Sequence, residues 1–216
     1  MYCRICKTQS TVFFEDSRTF YRCPTCSLIF TEQMADRPAA DRHYREQWEK
    51  SSPDHWRQLA DKLEWLVQIY CQPQRILDFG SGSGELTKEF QRRGFDITPL
   101  DPMTHGYLKD QSYPHRFDVV LGVEVIEHLP NLWEELEEIH KVLTDKGIIL
   151  FTTLLTNEFI DLTSAAEVFK TWWYKDDPTH VSFFNDRSIF RLAEILGCKA
   201  YIHGQMCFVL EKFPRH

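Results

Sequence analysis

The sequence has no long hydrophobic run, no internal repeat and no low-complexity segment. None of its apolar stretches approaches the roughly 18 residues that would span a bilayer. It begins with "MYCR" instead of an apolar targeting segment. We therefore expect no membrane association and a cytoplasmic location. The 216 residues, 43% of them hydrophobic, are enough for one stable α/β domain and a small appendage.

The sequence also has no excess of basic residues. It contains 25 Lys and Arg against 32 Asp and Glu, which gives a formal net charge of −7. A protein with a long nucleic-acid groove normally carries the opposite sign. The net charge therefore counts against a nucleic-acid substrate without excluding one, because a local basic patch can oppose it.

Cysteine is concentrated near the N-terminus. Two C-x2-C pairs, "CRIC" and "CPTC", contribute Cys3, Cys6, Cys23 and Cys26. Two such pairs supply the four tetrahedral thiolates that Zn²⁺ prefers, and the segments "STVFF" and "RTFYRC" between them predict a hairpin. Disulfides would need an oxidising compartment that nothing in the sequence indicates. We predict a zinc ribbon over residues 1–30, structural because four sulfurs leave no open position on the ion.

The rest of the chain predicts a linker and a second domain. Residues 31–52 are polar and read as the linker, and residues 53–216 form the domain. Strand-like segments such as "RILDF", "FDVVLGV" and "GIILFTT" alternate there with helical patterns. This alternation predicts an α/β fold with a mostly parallel sheet and helices on both faces. The weakly basic ribbon surface would suit a docked protein partner, but an ordinary solvated surface is the preferred interpretation.

A glycine-rich loop follows the first strand of this domain in "ILDFGSGSGE". The strand ends in Asp78, and the loop contains three glycines at alternate positions, Gly80, Gly82 and Gly84. Such glycines let the backbone pass close to a ligand before a helix begins. Asp101 ends the next strand, where a carboxylate can bind ribose hydroxyls. A dinucleotide loop would read G-x-G-x-x-G, but its last position is Glu85 here.

With its G-x-G-x-G spacing, Asp101 and "FDVV…EVIEHL", the sequence resembles the class I S-adenosylmethionine-dependent methyltransferases over roughly residues 50–213. The resemblance implies a Rossmann-like sheet of seven strands, the last antiparallel. It implies that the three glycines wrap the methionine part of S-adenosylmethionine, that Asp78 lies near its amino group and that Asp101 holds its ribose. The segment 102–116 is shorter than in that family, which shortens the adenine pocket.

The segment "EVIEHL" places Glu124, Glu127 and His128 directly after a buried strand. Three ionisable groups there are costly to desolvate unless something pairs with them. With the later His180, the segment resembles two metal-using groups of O-methyltransferases, which act on small RNAs and on ubiquinone-pathway phenols. That resemblance implies a divalent ion at these four side chains. Two other interpretations stay open: His128 or His180 as a metal-free base, and Glu124 as a structural brace of the glycine loop.

The function predicted from these motifs is methyl transfer from S-adenosylmethionine to a small molecule, with a hydroxyl as the expected acceptor. The alternatives are a C- or N-methyltransferase of a sugar or natural-product pathway, an RNA methyltransferase, and a non-catalytic module whose ribbon docks a partner. The aromatic run Trp172–Trp173–Tyr174 predicts either a wall over the acceptor or packing against the ribbon.

Overall fold

The computed structural model describes residues 1–50 and 52–213, which fold into two sheets and six α-helices. Along the chain the elements are β1 (Thr11–Glu15), β2 (Thr19–Arg22), β3 (Ile29–Phe30), α1 (Arg37–Lys50), α2 (Pro53–Tyr70), β4 (Ile76–Phe79), α3 (Glu85–Arg92), β5 (Ile97–Leu100), β6 (Phe117–Val123), α4 (Leu132–Val142), β7 (Leu143–Thr152), α5 (Ala165–Thr171), β8 (Ser182–Phe183), α6 (Asp186–Leu196), β9 (Cys198–His203) and β10 (Cys207–Lys212).

The smaller sheet is antiparallel and has the strand order β1-β2-β3-β8. Strands β1 and β2 form the hairpin that the sequence predicts between the two C-x2-C pairs. The fourth strand, β8, comes from the C-terminal part of the chain and pairs with β3. The N-terminal ribbon therefore shares a sheet with the body of the molecule.

The larger sheet has the order β5-β4-β6-β7-β10-β9. Strands β5, β4, β6 and β7 are parallel to one another, and β10 is antiparallel to both β7 and β9. Within this sheet β10 alone therefore runs against the others. The predicted mostly parallel α/β sheet with one antiparallel strand near its end is confirmed.

The predicted number of seven strands is wrong, because the described residues place six strands in this sheet. A further parallel strand would need a crossover of a dozen or more residues before it. Residues 102–116 instead form turns and one short 3₁₀ segment, Leu108–Asp110, and then lead directly into β6. Strand β5 is consequently an edge strand. Its Pro99 has no N–H to offer a further strand, as is usual at a sheet edge.

Helices cover both faces of the large sheet, as predicted. Alternate residues of each strand point to opposite faces, so Leu77 and Val120 enter one apolar cluster while Ile76 and Val119 enter the other. The first cluster includes side chains of α4, α6 and the ribbon, and the second includes side chains of α2 and α3. The carboxyl ends of the parallel strands β4, β5 and β6 meet at one end of the sheet, where ligands bind in open α/β sheets.

The predicted linker is largely helical, since α1 occupies most of it. Ser52 caps helix α2: its Oγ accepts a hydrogen bond from the backbone N–H of His55 at 3.2 Å. Within residues 1–50 and 52–213, no helix combines the length and the hydropathy that a membrane crossing requires.

Candidate active site and metal-binding residues

The glycine loop between β4 and α3 adopts a backbone that favours glycine. Gly80, Gly82 and Gly84 have φ values of 78°, 53° and 75°, in the left-handed region that other residues adopt at a cost. A Cβ on Gly80 would lie 2.4 Å from Cγ2 of Val125. Glycine at position 80 therefore lets the loop lie directly against the turn that carries the two glutamates.

Two carboxylates support this loop from β4 and β5. Asp101 accepts hydrogen bonds from the backbone N–H of Gly82 at 3.1 Å and of Met103 at 2.8 Å. Its oxygens retain lone pairs that can accept ribose hydroxyls. Asp78 is fully buried and accepts a hydrogen bond from Thr87 Oγ1 at 2.5 Å. Burial raises the pKa of Asp78 to about 6, although the bond from Thr87 opposes that rise.

The loop also contains an orphaned polar atom. The hydroxyl oxygen of Ser81 is buried and has no hydrogen-bond partner among the described residues. Buried hydroxyls are normally paired, because an unpaired one costs free energy. The unpaired hydroxyl, the open glycine backbone and the free lone pairs of Asp101 together fit a polar nucleoside ligand at this loop.

Glu124 follows β6 in a strained backbone conformation. Its φ of 51° is unusual for a residue with a side chain and costs on the order of 1–3 kcal/mol. Thr152 at the end of β7 holds it in place: the backbone N–H of Glu124 donates to Thr152 O at 3.1 Å, and Thr152 Oγ1 donates to Glu124 Oε1 at 2.9 Å. Such strain is typical of functional sites, so the turn after β6 is a candidate site on its geometry alone.

Glu127 lies in the following 3₁₀ turn and is fully buried. The hydroxyl of Tyr174 is 2.6 Å from its Oε1 and 2.9 Å from Oε2 of Glu124. Oε2 of Glu127 is a second orphaned atom, without a partner among the described residues. Burial, with the charge of Glu124 as the next contribution, raises the pKa of Glu127 well above its ordinary value.

Both histidines, His128 and His180, are hydrogen-bonded through Nδ1, which leaves Nε2 of each ring available to a ligand. Thr179 Oγ1 donates its single proton to Asp177 Oδ1 at 2.5 Å, so it accepts the hydrogen bond from Nδ1–H of His128 at 2.9 Å. Nδ1–H of His180 donates to the carbonyl of Tyr174 at 2.7 Å. Each neutral imidazole therefore presents a lone pair at Nε2. The His128 and His180 ring centroids are 4.5 Å apart.

Burial keeps both imidazoles neutral. It lowers the pKa of His128 to about 3, with the neighbouring His180 as the next cause, and it lowers the pKa of His180 as well. The pKa of Asp177 is lowered, whereas the pKa of a buried acid is usually raised. Burial opposes its ionisation, but His180 and the hydrogen bonds from Thr179 outweigh burial and lower the pKa of Asp177 to about 2.

Three of the four predicted metal ligands converge. Glu127, His128 and His180 each offer a ligand atom within 4.8 Å of the others. Glu124 is not part of this set, because Thr152 and Tyr174 bind its carboxylate. Its carboxylate is not held by backbone amides, so Glu124 both braces the turn and adjoins the cluster through the Tyr174 hydroxyl.

Several residues of the site were not predicted from the sequence. Tyr174 and Thr179 fix the two histidines, and Asp177 accepts a hydrogen bond from Nε2 of His43 on α1 at 2.6 Å. The ring of Tyr44, also on α1, lies 5.4 Å from that of His128. The polar run "DDPTH" next to His180 could have indicated that Asp177 and Thr179 belong to the site. The polar sequence of α1 contains no pattern that would have indicated His43 or Tyr44.

The aromatic run does not form a single wall. Trp172 packs on Phe159, Phe169 and Phe183 in a cluster shared with the ribbon, whereas the next residue, Trp173, is 70% exposed. Packing against the ribbon is therefore the correct interpretation for Trp172.

The four N-terminal cysteines form a second cluster, with all four sulfurs within 4.8 Å of one another. The Sγ atoms of Cys3 and Cys26 are 3.6 Å apart, and those of Cys6 and Cys23 are 3.5 Å apart. These distances are too long for disulfides and close to the roughly 3.8 Å edge of a tetrahedron with Zn–S bonds of about 2.3 Å. The cluster therefore fits a zinc ion.

The two C-x2-C pairs also have equivalent backbones. The residue after each pair, Lys7 or Ser27, has a φ of 59° and donates its N–H to the carbonyl of the first cysteine of its pair at 3.0 Å. The similarity of the two turns explains how two short sequence motifs direct four sulfurs toward one point.

Comparisons with known proteins identify the family of the chain. A family model described as a methyltransferase domain matches residues 31–201. The ubiquinone biosynthesis O-methyltransferase of Rickettsia bellii is 26% identical over 141 residues, covering 55% of this chain and 59% of that protein. The malonyl-[acyl-carrier protein] O-methyltransferase of Salmonella typhimurium is 26% identical over 147 residues, covering 60% and 56%. This chain thus spans less than two thirds of either relative.

Solved structures share the fold. The 1,6-didemethyltoxoflavin-N1-methyltransferase of Burkholderia thailandensis superposes with a TM-score of 0.57 at 14% identity, covering 95% of this chain and 100% of that one. A plantazolicin methyltransferase solved with SAH gives a TM-score of 0.57 at 15% identity, covering 82% and 90%. Together with the glycine loop and the family match, these findings place the chain among the class I S-adenosylmethionine-dependent methyltransferases.

Proposed function

We propose that the protein transfers the methyl group of S-adenosylmethionine to an oxygen atom of a small molecule. The observation that carries the proposal is the convergence of Glu127, His128 and His180. Glu127 and His128 lie on the turn after β6, and Val125 of that turn packs against the glycine loop. The two curated relatives named above are O-methyltransferases, which supports oxygen as the acceptor atom. The net charge of −7 supports a small acceptor over RNA.

The cofactor residues in this proposal are the three glycines, Asp101 and Asp78. The glycine backbone lies along the methionine part, and Asp101 accepts the ribose hydroxyls. The hydroxyl of Ser81, unpaired among the described residues, gains a partner when the cofactor is bound. Asp78, bonded to Thr87 of α3, keeps the helix in register with the loop.

A divalent ion fits the cluster of Glu127, His128 and His180. One carboxylate and two neutral imidazoles are donors that Mn²⁺, Fe²⁺ and Zn²⁺ all accept. Each imidazole is fixed by a hydrogen bond at Nδ1, the usual arrangement for a ligand histidine. The orphaned Oε2 of Glu127 is a further free donor. When bound, the ion would lower the pKa of an acceptor hydroxyl.

The protein's own groups can also take the proton from the acceptor. The free Nε2 of His180 or His128 is a base that needs no metal. Burial lowers the pKa of both imidazoles, so both histidines stay candidates for the base of a metal-free mechanism. Sensitivity to a chelator, once an acceptor is known, separates the two mechanisms.

The four N-terminal cysteines are proposed to bind one structural zinc ion. Residues 1–30 are then the ribbon, 31–52 the linker and 53–216 the methyltransferase domain. The Sγ–Sγ distances in the cysteine cluster are too long for disulfides, and a zinc site of four thiolates suits a reducing compartment, so we propose a cytoplasmic location. Elemental analysis tests the zinc: Cys23→Ser should lose it, whereas Cys198→Ser, a buried cysteine outside the cluster, should keep it.

Titration calorimetry with S-adenosylhomocysteine tests the assignment without knowledge of the acceptor. The wild type should bind with a dissociation constant of about a micromolar, and Asp101→Ala should weaken binding by roughly tenfold or more because its hydrogen bonds are lost. Asp145→Ala is the matched control, since Asp145 is exposed near the start of β7, at the end of the sheet opposite the glycine loop. Binding of NAD with no response to S-adenosylhomocysteine would refute the proposal.

A further inference from the structure

The turn of the β1–β2 hairpin lies against the loop that carries His180, which we define as residues 174–181 and call the His180 loop. The guanidinium of Arg18 donates to three backbone carbonyls of this loop. Its Nη1 is 2.9 Å from His180 O and its Nη2 is 3.0 Å from Asp177 O, and Nη2 also contacts Lys175 O. The Arg18 side chain of the ribbon therefore binds the His180 loop near both of its ends and in its middle.

Lys175 of the His180 loop makes a second contact with the hairpin turn. Nζ of Lys175 donates to Oδ2 of Asp16 at 3.2 Å, and Oδ1 of Asp16 accepts the backbone N–H of Arg18 at 3.0 Å. Lys175 is buried, whereas Asp16 lies exposed in the hairpin turn, so the pair joins the surface of the ribbon to the interior of the loop. The hairpin turn and the His180 loop thus form one connected set of hydrogen bonds.

The opposite side of the same loop builds the candidate metal cluster. The carbonyl of Tyr174 fixes His180, and the side chains of Asp177 and Thr179 fix His128. Asp177 faces both ways, since its backbone carbonyl binds Arg18 and its carboxylate binds Thr179. A displacement of the loop at Arg18 would therefore change the orientation of both imidazoles.

Arginine suits this position for a geometric reason. Its planar guanidinium carries five N–H donors and can bind several carbonyls at once, whereas a lysine ammonium is a point charge on a flexible stem. Without Arg18, the three loop carbonyls would lose a charged donor that lies half-buried between them, and hydrogen bonds to charged groups are the stronger ones.

We propose that the ribbon is a structural part of the catalytic centre and that Arg18 is the positioning residue through which it fixes the His180 loop. Zinc binding at the four cysteines orders the ribbon that carries the hairpin, and the hairpin fixes two of the three ligands of the second cluster. The two metal clusters are therefore coupled through Arg18. This inference rests on the proposed function only where it concerns the second metal.

Hydrogen–deuterium exchange of the full-length protein tests the positioning role directly. In Arg18→Ala we expect the amides of the His180 loop to exchange about tenfold faster or more, as expected for lost hydrogen bonds to a charged group. Arg22→Ala is the matched control: Arg22 lies on the same hairpin but contacts Ser27 and Asp161. Affinity for S-adenosylhomocysteine should stay unchanged in both variants, which shows that the domain is folded.

Titration with Mn²⁺, followed by the electron paramagnetic resonance of the free ion, tests the coupling. Mn²⁺ should bind weakly to the cysteine cluster, because soft thiolate ligands favour zinc. Arg18→Ala should weaken Mn²⁺ binding by about tenfold, and Cys23→Ser should weaken it similarly. The double variant should be no weaker than either single variant, because both act through the same contact.

Unchanged exchange of the His180 loop in Arg18→Ala, or an equal rise in Arg22→Ala, would overturn the proposal. If Arg18→Ala also lost affinity for S-adenosylhomocysteine, Arg18→Lys would decide: we expect intermediate exchange with normal cofactor affinity, and wild-type exchange would refute the role of Arg18. A wild type that binds no Mn²⁺ would refute the second metal of the proposed function, and the exchange result would still decide the role of Arg18.

Discussion

The phenolic oxygen of Tyr174 lies 2.6 Å from Oε1 of Glu127. The same oxygen is 2.9 Å from Oε2 of Glu124, so one phenolic proton is available to two acidic side chains. A second proton on one carboxyl group relieves the repulsion between them, which agrees with the raised pKa of Glu127. Tyr174 therefore organises both glutamates through its side chain and His180 through its carbonyl.

Tyr174→Phe should destabilise the protein. The variant removes the phenol but keeps the ring and the carbonyl, so it leaves a buried carboxyl group without its partner. We expect the free energy of unfolding to fall by about 1–3 kcal/mol, measured by urea denaturation. Trp173→Phe should change it by less than about 0.5 kcal/mol, because Trp173 is largely exposed. Equal effects of the two substitutions would contradict the role given to the phenol.

Gly80→Ala should impair cofactor binding through a clash. Its Cβ would lie 2.4 Å from Val125 Cγ2, so the loop must move. We expect affinity for S-adenosylhomocysteine, measured by calorimetry, to fall by about tenfold or more. Gly94→Ala is the control, since Gly94 has a φ of 88° but no atom within 4 Å of its Cβ position. It should cost about 1 kcal/mol of stability and leave affinity unchanged.

Removing the obstructing side chain offers a stricter test of the clash. In the Gly80→Ala background, Val125→Ala should restore part of the lost affinity, because the closest atoms to the new Cβ belong to Val125. An absence of recovery would show that the left-handed backbone at position 80, and not the contact, is the limiting factor.

Asp78 should give the stability of the protein a specific pH dependence. Burial raises its folded pKa to about 6, above the unfolded value of about 3.9. The folded state therefore binds the proton more tightly, and the stability that this group contributes at low pH is lost as the pH rises through about 4 to 6.

Asp78→Asn removes this titration and keeps an acceptor for Thr87. Relative to that variant, the wild type should have a free energy of unfolding that is about 2–3 kcal/mol more favourable near pH 4 than near pH 7. Urea denaturation at both pH values measures the difference, with Asp110→Asn as the exposed control. A constant difference between the wild type and Asp78→Asn would contradict the raised pKa.

His180→Ala and His128→Ala should abolish Mn²⁺ binding at the second cluster. Each removes one of three converging ligands, and we expect a loss of affinity of more than about tenfold. His55→Ala serves as the control, since His55 lies exposed at the start of α2. Retained binding in both ligand variants would leave the metal-free base as the remaining mechanism.

Features that depend on local spacing were predictable from the sequence. The two C-x2-C pairs, the hairpin between them and the glycine loop at the end of a strand each follow from a few adjacent residues. The structure brings His180 next to His128, as the resemblance to metal-using methyltransferases implied. The boundaries at residues 30 and 52 and the roles of the site residues stay predictions.

Features that depend on long-range contacts were not predictable. Strand β8 has two residues, too few to show a periodic pattern, and its pairing with β3 has no sequence signal. The partners of the histidines, Tyr174 and Thr179, act through geometry that only the folded chain defines. The count of seven strands came from the resemblance and was wrong, because residues 102–116 are too few for another strand and its crossover.

The pairing of Ile29 with Phe183 sets an order for folding during synthesis. The four cysteines leave the ribosome well before β8 and can bind zinc early, but β3 gains its second neighbour only after β8 emerges. Contacts between residues so distant in sequence form slowly. Until then Phe20, which packs against Phe169 and Phe183 in the folded protein, stays exposed on the nascent chain. The ribbon is thus synthesised before β8 but completed only when β8 pairs with β3, and until then its exposed apolar side chains favour chaperone binding.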